Sequence, residues 1–107
     1  MEGIKIVISE DFNDKLGGRW KSLGPYSGEE FYDTLLRDKY LDADKKGVKL
    51  NIYMDGAKGY GSSFLDQSFG ELARNYGVDK VSRTIVFHTT LFNWHVNYIK
   101  EKIWVSA

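Results

Sequence analysis

The segment Val48–Met54 constrains the fold of this chain more than any other part of the sequence. Val48, Leu50, Ile52 and Met54 alternate with polar or aromatic residues, so the four apolar side chains point the same way. A period of two residues predicts a β-strand with one buried face. Because another layer must cover that face, the segment indicates a sheet with helices packed against it.

Strand-like and helix-like segments alternate along the rest of the chain. Short apolar or β-branched runs predict strands at Ile4–Ile8 and Thr84–His88. Arg19–Lys21, after the break at Gly17 and Gly18, is a plausible further short strand. It is expected to form a hairpin with the strand at Ile4–Ile8. Apolar residues that recur every three or four positions predict helices over residues 28–46, over residues 62–76 and after Thr90. The predicted order is β-β-α-β-α-β-α, which implies an α/β fold with a mixed sheet.

Polar residues at the predicted helix starts suggest caps. Ser27 and Glu30 have the spacing of a capping box, in which the serine hydroxyl accepts a backbone N–H and the glutamate reaches back. Ser63 and Asp66 form a weaker pair of the same kind. We expect Thr90 to cap the last helix.

Length, charge and cysteine content limit the functional class. The 107 residues suit a single domain, and 42% of them are hydrophobic, enough for one core. Fifteen basic and fifteen acidic residues leave no net charge, so neither direct nucleic-acid binding nor membrane binding is expected, whereas self-association is easy. The absence of cysteine and of a signal-peptide pattern suggests a cytoplasmic protein.

The loop after the central strand is the main candidate site. Asp55 ends the strand, Gly59, Tyr60 and Gly61 follow, and Ser62 and Ser63 open a helix. Open α/β sheets often place sites at such turns, and a helix N-terminus offers free N–H donors to an anion or to a phosphate attached to serine. The alternative is that the serines only cap the helix and the glycines only turn the chain.

Other polar residues give weaker indications of chemistry. Ser62, His88 and Asp55 could be drawn as a catalytic triad, but no nucleophile-elbow motif supports it. His88 and His95 lack zinc-site spacing, and neither a metal nor a cofactor is expected. Arg19 could pair with a carboxylate or a phosphate, or simply be a partly exposed strand residue.

The last predicted helix carries more aromatic residues than one buried face requires. Trp94, Tyr98 and Trp104 accompany an apolar stripe of Phe92, Val96, Ile99 and Ile103. Surplus aromatics of this kind either mark a partner surface or fill a small core.

Three segments, taken in order, resemble one known family. They are Gly17–Trp20, Gly24–Phe31 and Gly59–Leu65 continuing to Gly70, and the Gly-Tyr-Gly-Ser-Ser-Phe-Leu element is the specific one. The likeness is to the bacterial STAS-like domain family of unknown function, a distant relative of anti-sigma factor antagonists. It implies a single STAS-like domain over residues 1–107, with a four-stranded mixed sheet and about three main helices packed mainly on one side.

The same resemblance implies a role. In the antagonists, a partner kinase phosphorylates a serine at the start of the helix after the third strand, and the phosphate breaks partner binding. Ser62 or Ser63 falls at that place and Asp55 matches the acid at the strand end, but Gly61 replaces the Asp that precedes the antagonists' serine pair. The implied function is a non-catalytic regulatory, protein-interaction module of bacterial signalling. A histidine-kinase-like ATPase or a DNA-binding regulator would be its partner.

Three alternatives remain at this point. The Gly59–Leu65 loop could bind a small ligand or nucleotide through its phosphate. The chain could be a small hydrolase or toxin, although it lacks a convincing acid/base pair or nucleophile. It could also form a homo-oligomer through the last helix.

Overall fold

The computed structural model describes residues 3–107, which form a three-stranded parallel sheet. The strands are β1 (Ile4–Val7), β2 (Leu50–Tyr53) and β3 (Ile85–His88), and β2 lies between the other two. Leu50 is paired with Ile4 in β1 and with Ile85 in β3. The predicted strand at 48–54 is therefore confirmed as the central one.

Four helices within residues 3–107 connect and follow the strands. They are α1 (residues 28–46), α2 (residues 62–76), α3 (Val78–Thr84) and α4 (residues 93–103). Three of them contain a π-helical segment: Tyr32–Leu36 between Gly28–Phe31 and Arg37–Lys46 in α1, Asp66–Gly70 between Ser62–Leu65 and Glu71–Tyr76 in α2, and Ile99–Ile103 after Asn93–Tyr98 in α4. A π turn (Ile8–Phe12) and a 3-10 turn (Lys21–Leu23) precede α1. The three long helices were predicted, whereas α3 was not. Each helix of the described residues is too short or too polar to span a lipid bilayer.

One face of the sheet is buried beneath the helices. Ile6, Ile52 and Phe87 are paired across the three strands on that face, and Ile6 and Ile52 are fully buried. Tyr53 and Val86, whose side chains point to the other face, are each 36% exposed. This burial agrees with the expectation that the helices lie mainly on one side.

The prediction of a four-stranded mixed sheet is wrong. No strand forms at Arg19–Lys21, so the described residues contain no antiparallel pair. Instead, the carbonyls of Gly18 and Arg19 accept hydrogen bonds from the backbone N–H groups of Gly28 and Glu29, at 2.8 and 3.0 Å. The first N–H groups of a helix have no partner within it, so the start of α1 uses this segment's carbonyls.

The helix caps agree only in part with the sequence signals. Ser27 caps α1 as predicted, because its hydroxyl oxygen accepts a hydrogen bond from the Glu30 N–H at 3.0 Å. Gly61 is the N-cap of α2, and no side chain caps that helix, so the Ser63–Asp66 capping pair is wrong. Thr90 does not cap α4, whose N-cap is Phe92.

α1 and α2 touch at their first turns, and a glycine makes this contact possible. A Cβ on Gly28 would lie 2.5 Å from the Phe64 carbonyl oxygen and 3.1 Å from the Phe64 Cα. Only a residue without a side chain fits at that distance. The close approach holds the start of α2, which carries Ser62 and Ser63, against the start of α1.

Candidate functional site

The loops that leave the three strands meet at the carboxyl edge of the sheet. The Lys58 N–H of the loop after β2 donates to the Asp14 carbonyl of the loop after β1, at 2.7 Å. The Met54 N–H, just after β2, donates to the His88 carbonyl at the end of β3, at 3.0 Å. The predicted site loop is therefore tied to both neighbouring strand ends.

Ser62 and Ser63 are exposed in the first turn of α2. Gly61 precedes them in an extended conformation, with φ of −78°, and a Cβ built on it would meet no atom within 4 Å. Since neither hydroxyl caps the helix, the first backbone N–H groups of α2 receive no side-chain acceptor. The two serines thus have the exposure that a modifying enzyme or a binding partner would need.

Tyr60 is an anchor for this loop rather than part of an open recess. Its hydroxyl donates to the Met54 carbonyl at 2.7 Å, and its side chain is only 7% exposed. Its ring meets Phe92 edge-on, with centroids 4.9 Å apart, and lies 6.2 Å from the ring of Phe64. Burial raises the pKa of Tyr60, and the nearby charge of Asp55 raises it further. The loop that carries the serines is therefore fixed to both α2 and α4.

Asp55 is directed at the loop between β3 and α4 and not at the serines. Its carboxylate accepts hydrogen bonds from the Thr89 and Thr90 hydroxyls, at 2.5 and 2.8 Å, and from the Thr90 and Leu91 N–H groups. These bonds, led by that from Thr89, lower the pKa of Asp55 to about 2. Sequence reasoning found Asp55 but missed Thr89 and Thr90, which lie 34 and 35 positions away.

Arg19 pairs with a carboxylate at the next turn of α2. Its Nη1 lies 2.6 Å from Asp66 Oδ2, while the Nη1 of Arg74 lies 3.1 Å from Asp66 Oδ1. Burial raises the pKa of Asp66, but the hydrogen bonds from Arg19 and Arg74 outweigh burial and the net shift is downward. Because Asp66 follows Ser62 by four residues, Arg19 lies about one helical turn from the serine pair.

The histidines do not take the places that a catalytic triad would require. His88 Nε2 is 2.8 Å from Asn51 Oδ1, and its ring stacks on Tyr53 at 4.4 Å. The Asp55 carboxylate is bonded to Thr89, Thr90 and Leu91, so these contacts do not bring Ser62, His88 and Asp55 together as a triad. Within residues 3–107, no three His, Asp or Glu side chains are placed to hold a metal ion.

Apolar side chains are exposed on the segment that covers the start of α1. Leu23 is 72% exposed, Trp20 is 44% exposed and Tyr26 is 37% exposed. Trp20 follows Arg19, which contacts α2 through Asp66. Aromatic side chains are enriched in protein–protein interfaces, so this exposed segment is a candidate contact surface.

The last helix divides its aromatic residues between the core and the surface. Trp104 is 3% exposed, and its Nε1 donates to the Phe69 carbonyl at 3.1 Å. Trp94 is 67% exposed, and its ring stacks on Tyr98 at 5.2 Å. Of the two sequence alternatives, core packing applies to Trp104, whereas Trp94 is a surface residue.

Comparison with known proteins identifies the family. No curated protein and no solved structure matches the chain. Residues 27–90, more than half of the chain, match the family described as STAS-like domain of unknown function (DUF4325). The matched range includes α1, β2, the loop with its two serines, α2 and β3. The chain therefore belongs to the family of STAS-like domains of unknown function.

Proposed function

We propose that this domain is a non-catalytic regulatory module of bacterial cytoplasmic signalling that binds a protein partner. Its contact surface would centre on Gly61, Ser62 and Ser63, called here the serine surface. The observation that carries the proposal is that both serines are exposed at a helix start and neither caps it. The residues are thus available for modification or contact, without a structural task that would explain them.

Phosphate on Ser62 or Ser63 would be accommodated by the surrounding charges. The free N–H groups and the positive end of the α2 dipole favour a negative group there, typically by about 0.3–1 kcal/mol. Arg19 is within about one turn and could exchange its bond to Asp66 for one to the phosphate. The fold would survive modification, while the charge and shape of the serine surface would change.

A protein is the ligand that the neighbouring surface suits best. Trp20, Leu23 and Tyr26 are exposed on the segment whose Arg19 pairs with Asp66 of α2, the helix that carries the two serines. Such exposed apolar side chains contribute to association when a partner covers them. By analogy with the anti-sigma factor antagonists, the partner would be a histidine-kinase-like ATPase or a DNA-binding regulator. The domain itself would contact neither nucleic acid nor membrane.

The alternative is a small-ligand or nucleotide-binding domain that uses the same helix start. The observation in its favour is the set of backbone N–H groups that no side chain of α2 satisfies. A thermal-shift series with inorganic phosphate, ATP and GTP separates the two functions. Stabilisation by a nucleotide that Ser63→Asp abolishes would favour ligand binding over the regulatory proposal.

The main test compares charged and neutral variants of the serines. A partner is first recovered by co-purification from the native host, and its affinity is then measured for Ser62→Asp, Ser63→Asp and the two alanine variants. We expect each Asp variant to weaken binding by about tenfold or more, roughly 1.4 kcal/mol, with its melting temperature unchanged or raised. The alanine variants should stay within about 0.5 kcal/mol of the parent in stability, since no cap is lost.

A matched control uses another exposed serine. Ser82 lies in α3, away from the serine surface, and Ser82→Asp should not change the affinity. Equal affinities for the Ser62, Ser63 and Ser82 variants would refute the proposal, as would losses of affinity that only follow losses of stability.

A further inference from the structure

A recess of about 420 Å³ lies at the carboxyl edge of the sheet, where β2 and β3 end and the loop to α4 begins. It is lined by Tyr53, Asp55, Phe87, His88, Thr89 and Thr90. Ser62 and Ser63 are not among these residues, so the recess is distinct from the serine surface. Within residues 3–107, no lysine or arginine lines the recess, whereas Asp55 contributes a carboxylate.

The Asp55 carboxylate supplies negative charge to the recess but no free acceptor atom. Its Oδ1 accepts hydrogen bonds from the Thr89 hydroxyl at 2.5 Å and from the Leu91 N–H at 3.2 Å. Its Oδ2 accepts from the Thr90 N–H at 2.9 Å and from the Thr90 hydroxyl at 2.8 Å. Two carboxylate oxygens offer about four acceptor positions, so these four bonds use the whole capacity of the group.

The bonds to Asp55 also determine what the two threonine hydroxyls can do. A hydroxyl has one hydrogen, and both threonines donate theirs to Asp55, so both oxygens can only accept. Thr89 Oγ1 already accepts from the Phe92 N–H at 2.8 Å. Thr90 is exposed, and its Oγ1 accepts no hydrogen bond within residues 3–107. The Thr90 hydroxyl oxygen is therefore a free acceptor on the wall of the recess.

Asn51 determines which nitrogen of His88 carries the hydrogen. The Asn51 amide nitrogen lies 3.4 Å from the Ile4 carbonyl, to which it can only donate. The Oδ1 of Asn51 lies 2.8 Å from His88 Nε2, so Nε2 must be the donor of that bond. In a neutral imidazole the other nitrogen is then an acceptor. Stacking on Tyr53, with the two ring planes 9° apart, holds the imidazole in this orientation, so Nδ1 is a second acceptor at the recess.

One cation of the chain lies near Tyr53 but outside the recess. The Lys5 ammonium is 6.0 Å from the centroid of the Tyr53 ring. Because β2 lies between β1 and β3, Lys5 approaches this ring from the side of β1 and His88 approaches it from the side of β3. Lys5 does not line the recess, so it does not satisfy the acceptors there.

Free acceptors next to a carboxylate charge select a ligand that donates hydrogen bonds and is positively charged. A primary ammonium group has three N–H donors and no acceptor, so it matches both requirements. We propose that the recess binds the primary ammonium group of a small amine, which donates hydrogen bonds to His88 Nδ1 and Thr90 Oγ1. Asp55 stabilises the ammonium through its charge, and the same charge repels anions. The site does not depend on the proposed regulatory function.

NMR titration of the ¹⁵N-labelled whole chain tests the class of ligand. The probes are putrescine and 1,4-butanediol, which have the same four-carbon chain with ammonium or hydroxyl ends, and inorganic phosphate. At neutral pH and about 0.1 M salt, putrescine should shift the amide signals of residues 53–55 and 87–91, with a dissociation constant in the millimolar range. Butanediol should bind at least about tenfold more weakly, and phosphate should not shift these signals.

Variants of the two acceptors test the position of the ammonium. Thr90→Val removes the hydroxyl, whereas Thr90→Ser keeps it. His88→Gln keeps a donor for Asn51 Oδ1 but has no acceptor at the place of Nδ1. We expect putrescine to bind about tenfold more weakly to Thr90→Val and to His88→Gln, the usual effect of losing one hydrogen bond to a charged group, and as tightly to Thr90→Ser as to the parent.

A matched control removes a threonine hydroxyl elsewhere. Thr34 is exposed on α1, and Thr34→Val should leave the affinity for putrescine unchanged. The proposal is overturned if putrescine shifts no signal at the recess, or if butanediol or phosphate binds there as tightly as putrescine. It is also overturned if Thr90→Val and His88→Gln, folded as judged by their spectra, bind putrescine as the parent does.

Discussion

Replacing Tyr60 by phenylalanine should loosen the loop between β2 and the two serines of α2 while leaving the core filled. The change removes one oxygen atom, and with it the 2.7 Å hydrogen bond that the hydroxyl donates to the Met54 carbonyl. The ring remains to pack against Phe92 and Phe64. The variant therefore isolates the bond that joins the loop to the end of β2.

The expected cost follows from the burial of this bond. A typical intramolecular hydrogen bond contributes about 0.5–1.5 kcal/mol net, and an unsatisfied buried partner costs about 1–3 kcal/mol. Tyr60 is 7% exposed, and Met54 is fully buried, so water cannot readily replace the lost hydroxyl. We expect Tyr60→Phe to lower the free energy of unfolding by about 1–2 kcal/mol, equivalent to roughly 4–16 °C in Tm for a domain of this size.

Urea denaturation and thermal melting measure this cost, with Tyr53→Phe as the matched control. Tyr53 is 36% exposed on the open face of the sheet, so its variant should stay within about 0.5 kcal/mol of the parent. An equal loss in both variants, or none in Tyr60→Phe, would show that the hydroxyl does not hold the loop.

The dependence of stability on alkaline pH is a second test of the Tyr60 hydroxyl. Burial raises the pKa of Tyr60 above its ordinary value of 10.0, so the unfolded chain loses the proton first. The stability contributed by the neutral hydroxyl is present below pH 10 and falls as the pH rises above that value. Tyr60→Phe should therefore lose less stability than the parent between neutral pH and pH 11. Identical alkaline profiles would contradict this assignment.

Two further predictions concern the central strand and the acid that follows it, and a third concerns nucleic acid. Ile52→Ala should cost about 2–5 kcal/mol in chemical denaturation, because Ile52 is fully buried, whereas Val86→Ala on the open face should change little. Hydrogen bonds lower the pKa of Asp55 from 3.8 to about 2, so the stability that its charge contributes is present above pH 4 and lost as the pH falls toward 2. In Asp55→Asn the free energy of unfolding should fall less between pH 4 and pH 2 than in the parent, and an equal fall would contradict the assignment. The chain should not bind duplex DNA with sub-micromolar affinity in a polarisation assay, and salt-sensitive binding in that range would refute this expectation.

The parts of the fold that were predictable depend on local patterns. The alternation from Val48 to Met54 is explained by one buried face and one open face. The Ser27 cap involves residues only three positions apart, so the sequence contains the whole interaction. The start of α2 at Ser62 also followed from the adjacent glycines and the helix period.

The parts that were missed depend on distant partners. Arg19–Lys21 has the composition of a short strand, but the unsatisfied N–H groups of α1 compete for its carbonyls. α3 contains β-branched residues, including Val78 and Val81, which favour strands locally, but the segment forms a helix that buries Val81. The orientation of Asp55 depends on threonines more than thirty positions away, which no local pattern reveals.

The order of the strands restricts where ligands can bind. Along the chain and across the sheet the order is the same, β1-β2-β3, so both crossovers run in one direction and right-handed connections place their helices on one side. Open α/β sheets usually hold small ligands in a crevice where the strand order reverses and neighbouring helices diverge to opposite faces. The sheet of residues 3–107 contains no such reversal, so its topology opens no crevice between diverging helices. The recess of about 420 Å³ at this edge, lined by Tyr53, Asp55 and Thr90 among others, is therefore formed by the strand ends and their loops and not by a parting of helices.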